Sequence, residues 1–116
     1  MSEHEINNIR LAPNFLLREF ECRDGSHQVV LHRELLERLQ GLRNTLGRPI
    51  IINSGYRNPA HNAAVGGSPN SYHLQGMAAD IRVPGISPQA LAAATRQAGF
   101  RGIIIYATFV HVDVRP

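Results

Sequence analysis

The sequence predicts an α+β fold: one domain with a small, antiparallel sheet flanked by helices. Three observations carry this. A leucine stripe at helical spacing lies between His32 and Leu46, short β-branched runs recur at 50–52, 78–83 and 102–106, and the last segment alternates strictly. The chain has 116 residues, room for one ordinary domain. Its 43% apolar and 18% charged composition suits a single hydrophobic core.

Taken in order, residues 1–12 read as a flexible arm and residues 13–116 as the folded domain. Phe15–Phe20 reads as a short helix with Asn14 as its cap, followed by a turn at Asp24-Gly25-Ser26. Leu35, Leu36, Leu39, Leu42 and Leu46 mark the clearest helix, which Gly47 and Pro49 close. Ile50–Ile52 is a buried strand, and Asn58-Pro59 opens a short helix that stops at Gly66-Gly67. Ala78–Val83 is a second strand. Ser87-Pro88 sets a helix start with Ser as cap and Pro at the first helical position, and that helix ends at Gly99. Gly102–Tyr106 and Phe109–Val114 finish the chain as a hairpin across Ala107-Thr108. The alternation puts Val110, Val112 and Val114 on one face, and Phe109, His111, Asp113 and Arg115 on the other.

Bulk properties exclude several classes. No stretch approaches the roughly 20 apolar residues that span a bilayer. The net charge is +3, but the cations, all arginines from Arg10 to Arg115, are scattered, with no basic run and no interleaved aromatics. A nucleic-acid surface is therefore not expected. Cys22 is the lone cysteine, so no internal disulfide forms; Glu21-Cys22-Arg23-Asp24-Gly25 carries no nucleophile signature, and the thiol is expected to be structural.

Three segments carry candidate chemistry: Ser54-Gly-Tyr-Arg57, Ser71–Asp80 and His111-Val-Asp113. Two imidazoles and one carboxylate suit Zn²⁺, and His73, Asp80 and His111 would leave such a site a net positive charge, with Gly76 letting the chain bend between the first two. A His and an Asp seven apart are common by chance, so spacing alone favours His73 as a surface or core-satisfying imidazole over a ligand.

Taken together, Ser71-x-His73-x-x-Gly76-x-Ala78-x-Asp80, the preceding Arg48-Pro-Ile-Ile-Ile-Asn-Ser-Gly-Tyr-Arg57, the following Phe109-Val-His111-Val-Asp113 and the opening Asn14-Phe-Leu-Leu-Arg-Glu-Phe-Glu-Cys22 resemble the M15 family of zinc peptidases, in its small single-domain branch. That family comprises D-alanyl-D-alanine carboxypeptidases and murein endopeptidases, phage endolysins among them. The resemblance implies one Zn²⁺ ion held by His73, Asp80 and His111, a metal-activated water, and a peptidoglycan stem peptide as substrate. It also implies a substrate-anchoring Arg57, otherwise a surface salt bridge, and a cleft serine at Ser71, otherwise a loop residue bonded to its own backbone.

The general base departs from the pattern. Many members carry an acid three positions before the last histidine, where this chain has Thr108. Asp113 is the catalytic candidate, with a role as a partner orienting a ligand equally open; Glu19, Glu21 and Asp24 are more distant options. A non-catalytic, metal-containing peptidoglycan-binding module of a phage or cell-wall assembly is the alternative reading. His61 is expected at the surface, Tyr56 and Tyr72 as packing residues, and Tyr106 in the core. A monomer is expected. The start of the chain lacks the plan of a secretory signal, which suggests a cytoplasmic or phage-encoded protein reaching the wall by lysis or with a phage particle.

Overall fold

The computed structural model describes residues 6–116. Strands β1 (Arg10–Ala12) and β2 (Phe15–Leu16) form a two-stranded ribbon. Helix α1 (Arg33–Leu46), strand β3 (Ile51–Ser54), helix α2 (Pro59–Ala64), strand β4 (Ala78–Arg82), helix α3 (Pro88–Gln97), and strands β5 (Gly102–Ile105) and β6 (Val110–Asp113) follow. The main sheet has the order β3-β4-β6-β5 with every pair antiparallel. This is the expected α+β class.

The sheet has two unlike faces. Ala79 and Ile81 of β4 lie opposite Val112 and Val110 of β6, and all four are fully buried. They join Leu35, Leu39 and Leu42 of α1 and Leu91 of α3 in the hydrophobic core. Removing a side chain such as Leu39 from a core of this kind costs about 2–5 kcal/mol. The opposite face carries Asp80 and His111, and it is the one that matters for chemistry.

Helix ends follow the sequence signals. The hydroxyl of Ser87 accepts from Ala90 N and the Asn58 side chain accepts from His61 N, each with Pro at the first helical position. Helix α1 is capped by His32, whose Nδ1 accepts from Glu34 N, and Gly47 closes it in the left-handed region at φ 64°. The β5–β6 hairpin turns at Ala107-Thr108, with Tyr106 N donating to Phe109 O.

Three expectations need correction or qualification. Phe15–Phe20 is not a helix: Phe15–Leu16 pair with Arg10–Ala12, and Leu17–Phe20 form a short 3-10 turn whose Leu16 N donates to Glu19 Oε2. Pairing to the preceding strand, with both Phe15 and Phe20 buried, overrides the local helical pattern. Of the expected arm, residues 1–5 lie outside the described residues, whereas Arg10–Ala12 form β1. Tyr106 is not core; it is 45% exposed at the end of the sheet's edge strand. Cys22 is buried, as expected of a structural thiol, and burial pushes its pKa up. No helix among the described residues is long and apolar enough to cross a membrane.

Candidate metal centre

The sheet register assembles two thirds of the centre. Asp80 on β4 and His111 on β6 are directly opposed, so their side chains leave the same face as cross-strand neighbours. His73 arrives from the 3-10 turn Tyr72–Gln75, which ends at Gly76 in the left-handed region (φ 69°) before the chain enters β4. Ser71 caps that turn, its hydroxyl accepting from His73 N.

Each imidazole has one nitrogen committed elsewhere. His73 Nδ1 lies 2.7 Å from the Gly55 carbonyl, which only accepts, so this nitrogen carries the proton. His111 Nε2 lies 2.8 Å from Asp113 Oδ2 and donates to that carboxylate. The remaining nitrogens, His73 Nε2 and His111 Nδ1, each sit 3.2 Å from one and the same atom, Asp80 Oδ1. One nitrogen of each imidazole and one carboxylate oxygen thus converge, all within 4.8 Å of one another, an arrangement that calls for a proton or a cation between them. The donor set of two nitrogens and one oxygen fits a zinc-type ion.

The electrostatics agree. Burial would raise the Asp80 carboxyl, but hydrogen bonds with His111 and His73 outweigh it and hold the group well below the usual carboxylate range. Burial would lower the His111 imidazole, but Asp80 and Asp113 outweigh it and raise its pKa. Burial would likewise raise Asp113, yet the Arg115 guanidinium and His111 bring it down to about 2.

The other sequence candidates divide. Arg57 lines the cleft, but its guanidinium is also part of the scaffold: Nη2 donates to Asp80 Oδ2 at 3.1 Å, Nε to Ser54 Oγ, and Nη1 to Asn62 Oδ1. Ser71 lines the cleft as well. Asp113 does not. It is fully buried behind His111, bonded through Oδ1 to the Arg115 backbone N–H and Nε and through Oδ2 to Arg115 Nη2 and His111 Nε2. A Cβ on Gly102, its cross-strand neighbour, would overlap this carboxylate. Glu19, Glu21 and Asp24 are engaged with Leu16 N, with Asn7 and His27, and with Ser26 and Asn58 respectively.

The trio lies in an open cleft of about 460 Å³. Sequence reasoning overlooked Asn62, which is 3% exposed, and Arg115, which pairs with Asp113 and stands over the Tyr72 ring at 5.1 Å. The i,i+2 spacing of Asp113 and Arg115 on one strand face was the available signal. Among the described residues lining the cleft, Asp80 is the one acid.

Fold and site together define a class: an α+β domain with a candidate two-histidine, one-carboxylate metal centre lining an open cleft. The family model for Peptidase M15 matches residues 10–113, and the chain belongs to that family. It is 41% identical over 68 residues to the zinc D-Ala-D-Ala carboxypeptidase of Streptomyces albus G, a match covering 58% of this chain and 27% of that protein. It is 36% identical over 88 residues to the peptidoglycan L,D-endopeptidase MepK of Escherichia coli K12, covering 70% of this chain and 48% of MepK. The chain thus spans about half or less of the curated relatives it matches.

Proposed function

We propose that this chain is the catalytic domain of a zinc-dependent peptidase that hydrolyses D-amino-acid-containing peptide bonds of peptidoglycan, as a carboxypeptidase or an endopeptidase. The observation that carries the proposal is the convergence of His73 Nε2, His111 Nδ1 and Asp80 Oδ1 in an open cleft, each imidazole proton turned away from the meeting point. The names of the two relatives supply the substrate class: one acts on D-Ala-D-Ala, the other on peptidoglycan.

His73, Asp80 and His111 would hold one Zn²⁺ ion, which when bound polarises a carbonyl and favours ionisation of water. The protein's own residues prepare the site. Gly55 O fixes the tautomer of His73, and Asp113 fixes that of His111, with Arg115 balancing the buried charge. We therefore read Asp113 as a positioning residue, not the base that its sequence position suggested: both of its oxygens are engaged and it is sealed from the cleft. Arg57 orients Asp80 and presents its guanidinium at the cleft wall, where it can hold a substrate carbonyl or carboxylate. Ser71 and Tyr72 line the same space, where their hydroxyls can donate to a substrate. One chain provides all of these groups, so the site needs no second copy.

Incubation of the zinc-loaded chain with purified muropeptides tests the reading. Release of D-alanine or of a resolved cross-link, stopped by a chelator and restored by Zn²⁺, is the expected outcome. A second reading, a metal-containing module that binds peptidoglycan without cleaving it, is favoured by Thr108 and by a cleft whose one described acid is a ligand candidate. Binding of muropeptides with no product under the same conditions would establish it instead.

A further inference from the structure

The register places four residues in one row across the sheet: Ser54 beside Asp80, Asp80 beside His111, and His111 beside Ile104. Strand β5, which carries Ile104, is the edge of the sheet, so the row ends there. Ile104 is 45% exposed, and the next residue on its face, Tyr106, is equally so. The Tyr106 ring stacks on Phe109 across the hairpin, with centroids 4.6 Å apart and planes 15° from parallel. All three side chains line the same cleft as the ligand trio.

The cleft therefore has two chemically unlike sides. Toward β3 lie polar groups, those of Arg57 and Ser71; toward β5 lie Ile104, Tyr106 and Phe109. The core does not use this apolar surface, and half-exposed isoleucine and tyrosine side chains gain by being covered. A substrate lying across the centre must set one flanking residue against each side.

We propose that Ile104, Tyr106 and Phe109 form a specificity wall that receives an uncharged, alkyl-bearing residue, of the alanine type, next to the scissile bond. The stacked rings offer a flat, rigid contact surface at low conformational cost, and a charged residue set against them would lose hydration. This inference rests on the peptidase reading and names the residues that select its substrate.

The test uses the zinc-loaded chain with two substrates, a stem pentapeptide ending in D-Ala-D-Ala and a cross-linked muropeptide dimer, with calorimetric binding and hydrolysis of each measured. Tyr106→Ser and Ile104→Ser are expected to weaken binding and raise KM by about tenfold, with kcat changed less than about twofold and zinc content unchanged. Tyr106→Phe, which keeps the ring, is expected to restore the wild-type KM. Unaltered KM and affinity in both serine variants, or a Tyr106→Phe defect as large as that of Tyr106→Ser, would overturn the wall. If the wild-type chain binds either substrate in a Tyr106-dependent way and cleaves neither, the peptidase reading falls and the wall stands. Turnover indifferent to these substitutions has the opposite meaning, and a chain that neither binds nor cleaves either substrate defeats both.

Discussion

Asp80 and His111 are directly opposed on β4 and β6, and Asp80 Oδ1 lies 3.2 Å from His111 Nδ1. The sheet ladder sets that distance; no loop is needed. Neighbouring strands hold opposed Cβ atoms about 4.5–5.5 Å apart, which suits two ligands of one ion. The third candidate, His73, depends on a turn, and that turn is fastened at both ends: Ser71 caps it and His73 Nδ1 is tied to Gly55 O. A centre built this way is preformed, and its supporting contacts can be perturbed singly.

Asp113 is the first of these contacts. Asp113→Asn keeps the shape while removing the charge that polarises His111. Zinc affinity, measured by competition with a chromophoric chelator, is expected to fall by about 10–100-fold with the fold retained. Unchanged affinity with a collapse of kcat alone would return Asp113 to the role of base.

Arg57 is the second. Its guanidinium, 15% exposed, pairs with Asp80, 9% exposed. Arg57→Ala leaves that carboxylate without its cation and is expected to cost the metal-free chain about 3 kcal/mol in urea unfolding. The loss should be smaller when Zn²⁺ is bound, because the ion then compensates Asp80. Equal losses in both states would show that Arg57 acts through packing alone.

Gly102 is the third. A methyl group at this position overlaps the Asp113 carboxylate. Gly102→Ala is expected to destabilise the chain by about 1–3 kcal/mol and to weaken zinc binding by moving Asp113 off His111. A variant with wild-type zinc affinity would mean that His111 does not need this support.

Stability at acid pH depends on a different pair. Arg101 Nη1 and Nη2 donate to the two oxygens of Glu34 at 2.7 and 2.8 Å, and these bonds lower its carboxyl from 4.5 to about 2. A depressed pKa stabilises the fold above the unfolded value and loses that contribution as pH falls through the folded one. The melting-temperature gap between wild type and Glu34→Gln is therefore expected to be full above pH 4.5 and to close on approach to about 2. A gap independent of pH would contradict the pairing.

Much of the fold was legible because it obeys one period at a time. The leucines of α1 at helical spacing and the valines of β6 at period two each declared a buried face, and both faces meet in the core. The Ser87-Pro88 and Asn58-Pro59 starts were legible because capping is a local matter. The β1–β2 ribbon was not: a two-residue strand has no period, and its partner lies in a segment read as an arm. The exposure of Tyr106 was not legible either, because sequence does not reveal that β5 is an edge. The ligand trio emerged from a motif resemblance; spacing alone could not bring residues 73, 80 and 111 together. The roles of Arg57 and Asp113 depend on contacts that sequence does not order, the first across 23 positions and the second through burial.

The central claim is that His73, Asp80 and His111 together hold a zinc ion. Elemental analysis of the purified chain after zinc loading and desalting, run beside His73→Ala, tests it most directly. Stoichiometric zinc in the wild type and none in the variant is the expected result. Zinc absent from the wild type, or retained equally by His73→Ala, would contradict the account.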